Sequence, residues 1–212
     1  MKQAMQISRT KSAIMTIALF FWSISGVAQR LSSGDLYDLY NASHVDVSIY
    51  FTYEYTICGL SEDDYLAKNQ KAAWSWLEGK DNLKWAFIEE LDNKSGTLLH
   101  AGSYNDMCYQ FVLDILEIAK DGSIKASARV FAPGSGTVIA KIDDITGTGR
   151  PGLSLVKRVE GGLKSAASKL ASFMKSDYLQ NRSAVETRKH ERRSTPSTSP
   201  YPWDILRQNT NK

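Results

Sequence analysis

The chain predicts an α+β fold, a two-layer sandwich in which a mostly antiparallel sheet of about five strands is covered on one face by two helices. Three patterns support this. Residues alternate between apolar and polar from Val45 to Tyr55, three further alternating runs separated by tight turns lie between Phe111 and Ile142, and a stripe recurring every three or four residues runs from Val156 to Met174. A period of two marks a half-buried strand and a period of 3.6 an amphipathic helix. The order that results is βαββββα.

In the first strand Val45, Val47, Ile49, Phe51, Tyr53 and Tyr55 share one face, and Asp46, Ser48, Tyr50, Thr52 and Glu54 the other. Gly59 and Leu60 lead to Ser61-Glu-Asp-Asp64, where Ser61 caps a helix, Asp64 returns the hydrogen bond, and the acids meet the positive end of the helix dipole. This helix is expected to reach about Glu78, with Leu66, Ala73, Trp76 and Leu77 as its stripe, before Gly79 and Asp81-Asn82 break it. Trp85, Phe87 and Leu91 then read as a short second strand ending at Asp92-Asn-Lys-Ser-Gly96. In the third strand Phe111, Leu113 and Ile115 alternate, after which Leu116 and Ile118 break parity, so a bulge is expected near Ile115. Lys120-Asp-Gly122 and Pro133-Gly-Ser-Gly136 join it to two more strands, Ile124 to Val130 and Val138 to Ile142, as an antiparallel meander. The second helix carries Val156, Val159, Leu163, Ala166, Ala167, Leu170, Phe173 and Met174 on one side.

The 212 residues, 42% of them hydrophobic, suffice for one ordinary core. The net charge of +3 divides unevenly along the chain. Lys2, Arg9 and Lys11 precede an uncharged apolar run, the segment from Arg182 onward carries seven Lys/Arg against three Asp/Glu, and the body between them is acidic. An acidic body argues against a nucleic-acid-binding surface. The basic residues and the apolar centre Ala13 to Ile24 have the layout of an export signal, and the small residues Gly26 and Ala28 place cleavage after Ala28. The run is shorter than a comfortable bilayer span, although if retained it would anchor the chain to a membrane. The expected organisation is therefore a signal peptide over 1–28, a lead-in over 29–43, the α+β domain over 44–179, and a disordered basic tail over 180–212, whose stretch Ser194 to Pro200 cannot bury enough surface to order itself.

Export gives the two cysteines a meaning. Cys58 and Cys108 are an even count in an oxidising compartment, and a disulfide between them would close a loop of about 50 residues and contribute roughly 4 kcal/mol on a chain-entropy basis. An antiparallel pairing of the first and third strands would bring them together. Two unpaired buried thiols are the other reading. His44, His100 and His190 are scattered, and no spacing resembles a metal site, so neither metal nor cofactor is expected.

Few residues argue for chemistry, and no catalytic residue is assigned. The adjacent acids Glu62-Asp-Asp64, Glu89-Glu90 and Asp143-Asp144 lack any sign of convergence in a cleft and read as a helix start, a strand and a loop start. Gly147, Thr148, Gly149 and Arg150, within a glycine-rich stretch from Asp143 to Gly152, could cradle an anion ahead of the second helix. The stretch has no Gly-Lys-Ser/Thr ending and includes Pro151, so a flexible turn explains it more simply. Trp74 and Trp76 are two apart on a helix, so one should be core and the other partly exposed, and an exposed Trp74 is a candidate docking residue. Tyr201, Trp203, Ile205 and Leu206 return aromatic and aliphatic side chains after a polar linker, the pattern either of a docking segment or of an incidental apolar patch.

The string Phe87-Ile-Glu-Glu-Leu-Asp92, the run Val138-Ile-Ala-Lys-Ile142, the glycine-rich loop and the helix after it resemble uncharacterised exported proteins of Bacteroidota-type cell envelopes, over roughly Val45 to Met174. The order of elements is distantly similar to envelope assembly modules of the curli-secretion type. Those are often lipidated on a cysteine that this chain lacks. The resemblance implies a domain outside the cytoplasm and carries no catalytic residues. Together these observations lead to an expected exported, non-catalytic module, periplasmic or secreted, that engages a protein partner in the cell envelope. The competing expectation is a small-molecule or anion-binding protein, or an enzyme, using the loop from Asp143 to Gly152.

Overall fold

The computed structural model describes residues 29–104, 107–150 and 154–194. Within them six strands form one sheet: β1 (Arg30–Gly34), β2 (Val45–Ile57), β3 (Ala101–Gly102), β4 (Tyr109–Ile118), β5 (Ile124–Phe131) and β6 (Val138–Gly147), in the order β1-β6-β5-β4-β2-β3. The helices are α1 (Tyr37–Tyr40), α2 (Glu62–Lys68), α3 (Gln70–Gly79), α4 (Leu83–Ser95), α5 (Leu155–Gln180) and α6 (Arg182–Ser194). The fold is α+β, with α4 and α5 packed on each other and on one face of the sheet. The expected signal peptide and the residues after Ser194, including Tyr201, Trp203, Ile205 and Leu206, lie outside the described residues. Among the described residues no helix is long and apolar enough to cross a membrane.

The meander β4-β5-β6 is antiparallel, as its turns imply. Its inward residues Phe111, Leu113, Ala126, Ala128, Val130, Ala140 and Ile142 are all buried. The register of β4 against β5 shifts between Ile115 and Glu117, which is the bulge that the broken parity foretells. Leu116 is turned out and Ile118 returns to the core. Ser61 caps α2, its Oγ accepting from the Asp64 N–H at 3.2 Å, while Asp64 accepts from the Ser61 hydroxyl rather than from its backbone.

Four expectations need correction. The stretch from Trp85 to Leu91 is helix, not strand: Leu83, Ala86, Phe87 and Leu91 are buried at helical spacing, and Trp85 lies half-exposed on the other side of α4. The acids Glu89 and Glu90 consequently lie on a helix. The first helix is interrupted at Asn69, whose backbone leaves the helical region (φ −125°, ψ 51°) and separates α2 from α3.

The third correction concerns the cysteines. β2 and β4 are parallel, with Val45 opposite Tyr109 and Ile57 opposite Ile118. The helices α2 to α4 supply the long crossover that a parallel pair requires. Cys58 therefore follows the far end of β2, its N–H donating to the Ile118 carbonyl at 2.7 Å, while Cys108 precedes the near end of β4. At about 3.3 Å per residue the two lie roughly 30 Å apart, whereas a disulfide needs Cα atoms within about 7 Å. No disulfide joins them.

The fourth concerns the domain's limits, because both flanking segments are part of it. The lead-in supplies β1, antiparallel to β6, and α1, whose Leu39 is fully buried. The first turns of the expected tail form α6, which packs against α1 through buried Val185 and through Arg188, its guanidinium 3.5 Å from both Asp35 and Asp38. A run of charge looked too polar to order, but Val185 is buried against the body and the Arg188 ion pairs with Asp35 and Asp38 add to that contact.

Candidate functional site

Among the described residues the helices lie on one face of the sheet, and the other face carries none of them. Its residues are those of the second parity: Tyr50 from β2, Val112 and Asp114 from β4, Ser127 and Arg129 from β5, and Lys141 and Asp143 from β6. Most are half-buried by their neighbours, while Tyr50 is 52% exposed. Arg129 binds Asp114 as a fork, Nε donating to Oδ2 at 2.6 Å and Nη2 to Oδ1 at 2.7 Å. The guanidinium also lies 5.3 Å from the centre of the Phe131 ring. Planar guanidinium and carboxylate match each other in such a fork, which fixes both side chains at the middle of the face.

One end of this face is concave. An open groove of about 590 Å³ is lined by the exposed Leu116, by Ser127 and Thr146, and by the charged Arg30, Lys125 and Asp144. Its shape follows from misregister on neighbouring strands. The β4 bulge turns Leu116 outward, and β6 carries an extra residue where Ala126 pairs with Ile145 but Ala128 with Ile142. The extra residue is taken up at Asp144, which has φ 61°, a left-handed conformation that a non-glycine residue adopts at a cost of order 1 kcal/mol. Bulges of this kind re-aim side chains and cluster beside functional sites.

The groove's charges are paired. Arg30 Nε lies 3.2 Å from Asp144, Lys141 Nζ 3.2 Å from Asp143, and Lys125 Nζ 2.6 Å from Glu117. Desolvation would raise the Asp143 carboxyl, but the Ser32 hydroxyl, the Lys141 ammonium and the Arg30 charge outweigh it and hold it below the usual carboxylate range. Two carboxylates with pKa values driven apart would suit acid/base catalysis. Here both acids of β6 face cations, and the groove offers paired donors and acceptors around the exposed Leu116. Leu116 also borders a second concavity formed with Thr52, Tyr53 and Glu54 of β2, where Tyr53 stands 98% exposed.

A second polar cluster lies at the boundary between β2 and the helices. Glu62 accepts from the buried Trp76 Nε1 at 2.6 Å and from Lys80 Nζ at 2.7 Å, and Lys80 Nζ donates to the Tyr55 hydroxyl at 3.1 Å. The Lys80 ammonium is also 4.4 Å from the Phe51 ring centre. Burial would raise the Glu62 carboxyl, yet donation from Lys80, Tyr55 and Trp76 keeps it below the ordinary range. Burial and the Glu62 carboxylate push the Tyr55 hydroxyl far upward, away from any nucleophilic role. The cluster ties α2, α3 and β2 together.

The residues singled out from sequence are placed as follows. Gly147 ends β6, and the Gly149 N–H donates to Ser123 Oγ at 3.1 Å. Asp121 of the same turn accepts from the Ser123 N–H and hydroxyl, both at 2.9 Å, so the Gly149 N–H is already engaged by a hydroxyl that itself donates to a carboxylate. Thr148 lines a small hollow of about 220 Å³ beside Ser123 and Lys125, and Arg150 packs over Gly161. Trp76 is fully buried and Trp74 is 72% exposed, as their spacing implies, with Leu77 exposed beside it. Asp143 and Asp144, expected at a loop start, belong to β6 and the groove. The groove's other members passed unnoticed in the sequence. Their single signal was the broken parity at Leu116.

No protein-family model matches the chain, and no curated protein matches it. Among solved structures, a PelC dodecamer from Paraburkholderia phytofirmans is similar at TM-score 0.35 and 12% identity, over 68% of this chain and 96% of that one. A variant of the same dodecamer gives the same score and coverage at 13% identity. At that score the likeness assigns neither fold nor function.

Proposed function

We propose that the protein is an exported, non-catalytic module, periplasmic or secreted, that engages a protein partner of the cell envelope through the open face of its sheet. The observation that carries this reading is the one-sided layering: α4 and α5 cover one face and the other presents a bulge-lined groove. Sheets of this kind commonly leave a solvated face polar, and here Tyr50, Leu116 and Val138 are each about half-exposed on it or at its edge. The export signal read from the N-terminal pattern and the envelope resemblance agree with a role outside the cytoplasm.

Site-specific photocrosslinking in an exporting bacterium tests the reading, with the crosslinker at Ser127 on the open face or at Ser172 on the exposed side of α5. A discrete envelope protein should be captured from Ser127 and not from Ser172, and Leu116→Arg should reduce that product at least tenfold without lowering the melting temperature. Equal capture from both positions sinks the idea. Trp74→Ala, and a truncation after Ser194 that spares α6, report whether the exposed tryptophan and the distal segment add to the contact.

A second reading is favoured by the left-handed Asp144 at the groove wall. A small polar ligand taken up between Arg30, Lys125 and Asp144 would select the native state and raise the melting temperature. A screen of sugars, phosphates and nucleotides decides between this and the macromolecular reading.

A further inference from the structure

We propose that the chain's own C-terminal segment, Tyr201 to Leu206, docks in cis across the groove on the uncovered sheet face, with Trp203 and Ile205 set against Leu116. The proposal concerns the same face as the partner reading above but stands without it, since no second protein is required. Two observations carry it: where α6 delivers the chain, and what the groove offers to an apolar segment.

The end of α6 is fixed beside the edge strand β1. The Asn41 side chain donates to the Val185 carbonyl at 3.2 Å, and one turn later Arg188 lies 3.5 Å from both Asp35 and Asp38, its guanidinium 5.6 Å from the Tyr37 ring centre. Asp35 directly follows β1, which is the last strand on its side of the sheet, so the residues after Ser194 set out from that edge. Three strand spacings separate β1 from β4, about 14 Å, and β1 is roughly 13 Å long from Gly34 to Arg30. The eleven residues from Ser194 to Ile205 extend to ~36 Å, enough to cross that distance with slack. Thr195 to Pro200 serves as the linker, and in an extended chain Tyr201, Trp203 and Ile205 share one side.

The groove suits such a segment in shape and charge. Its volume is about 590 Å³, and Leu116 stands 45% exposed in it, apolar surface that a tryptophan or isoleucine would remove from water. Arg30, Lys125 and Lys141 are each more exposed than the acid they pair with, 71% against 37% for Arg30 and Asp144. The pairs therefore present their positive members outward, and Asp204 is the one charged residue between Tyr201 and Leu206. Tethering keeps the segment at an effective concentration of order mM, so weak contacts suffice to hold it.

The test places a photocrosslinker at Leu116 or Ser127 in the purified full-length protein, with Ser172 on the exposed side of α5 as the reference position. Mass spectrometry after trypsin should find the product on the Ser194–Arg207 peptide from both groove positions and not from Ser172. The product should stay within one molecule when heavy-isotope-labelled and unlabelled protein are mixed, and Trp203→Ala combined with Ile205→Ala should reduce it at least fivefold. The Ser127 position guards against the replacement of Leu116 itself removing the contact. Absence of that peptide from both groove positions, equal capture from Ser172, a product joining two molecules, or one indifferent to the two alanines overturns the proposal. No partner is present in the sample, so failure here leaves the envelope reading where it stood.

Discussion

Glu62 shows how much one side chain can organise when it is part-buried and met from three sides. It joins the start of α2 to the end of α3 through Trp76 and Lys80, and reaches β2 through the Lys80 contact with Tyr55. Because the folded state holds its carboxyl below the ordinary value of 4.5, the unfolded chain binds the proton more readily. The stabilisation is then complete above about pH 4.5 and drains away as the pH falls through the lower folded value. Urea midpoints measured from about pH 6 down to pH 3 should fall less steeply for Glu62→Gln than for the wild-type protein. Parallel curves would mean that Glu62 does not titrate differently on folding. Arg129 and Asp114 are a comparable pair on the open face, where the fork leaves the carboxylate no more than 9% exposed.

Among the elements, α5 is the one whose placement depends most on what it lacks. Gly161 and Gly162 lie in its first half, where each costs helix stability of order 1 kcal/mol relative to alanine. The reason is closeness of approach. A Cβ on Gly162 would run into the carbonyl oxygen of Gly122 in the β4–β5 turn, and one on Gly147 into the Gly162 carbonyl. Backbone cannot yield as a side chain can, so Gly162→Ala should destabilise the protein by about 2 kcal/mol or more despite its better helix propensity. Chemical denaturation measures this, and an unchanged or raised midpoint would show that α5 can lift away freely. The glycine-rich loop after β6 belongs to the same junction, since Gly149 meets the backbone of Asp121 and Gly122. Gly149 is explained by that contact before any ligand is considered.

At the scale of the whole molecule, one topological fact rearranges several consequences. Since β2 and β4 run parallel, the two cysteines stand at opposite ends of the sheet. Cys58→Ser should therefore leave the denaturation midpoint unchanged to within about 0.5 kcal/mol, whereas loss of a crosslink closing some 50 residues would cost about 4 kcal/mol. A drop of that size, abolished by prior reduction, would require a different strand order. The parallel pair also explains why the chain needs three helices between β2 and β4, and why α4 reaches α5 to form the covering layer. The lead-in and α6 then close the ends of that layer against each other through Val185 and Arg188.

Local pattern alone determined the meander, its bulge at Leu116, the long helix α5, the Ser61 cap and the division of Trp74 from Trp76, because each follows from the spacing of neighbours along a strand or helix. It misread Trp85 to Leu91, where a few apolar residues in a short window suit either period, and burial on one helical face was what separated the two. The direction of β4 relative to β2 was invisible for a more general reason: alternation records which side of a residue is buried and nothing about which way a strand not joined by a tight turn runs. The groove shared by Arg30, Leu116, Lys125 and Asp144 came only from the tertiary structure, which brings four strands together and puts their irregular registers side by side. Periodicity is a property of one element, and concavity is a property of several.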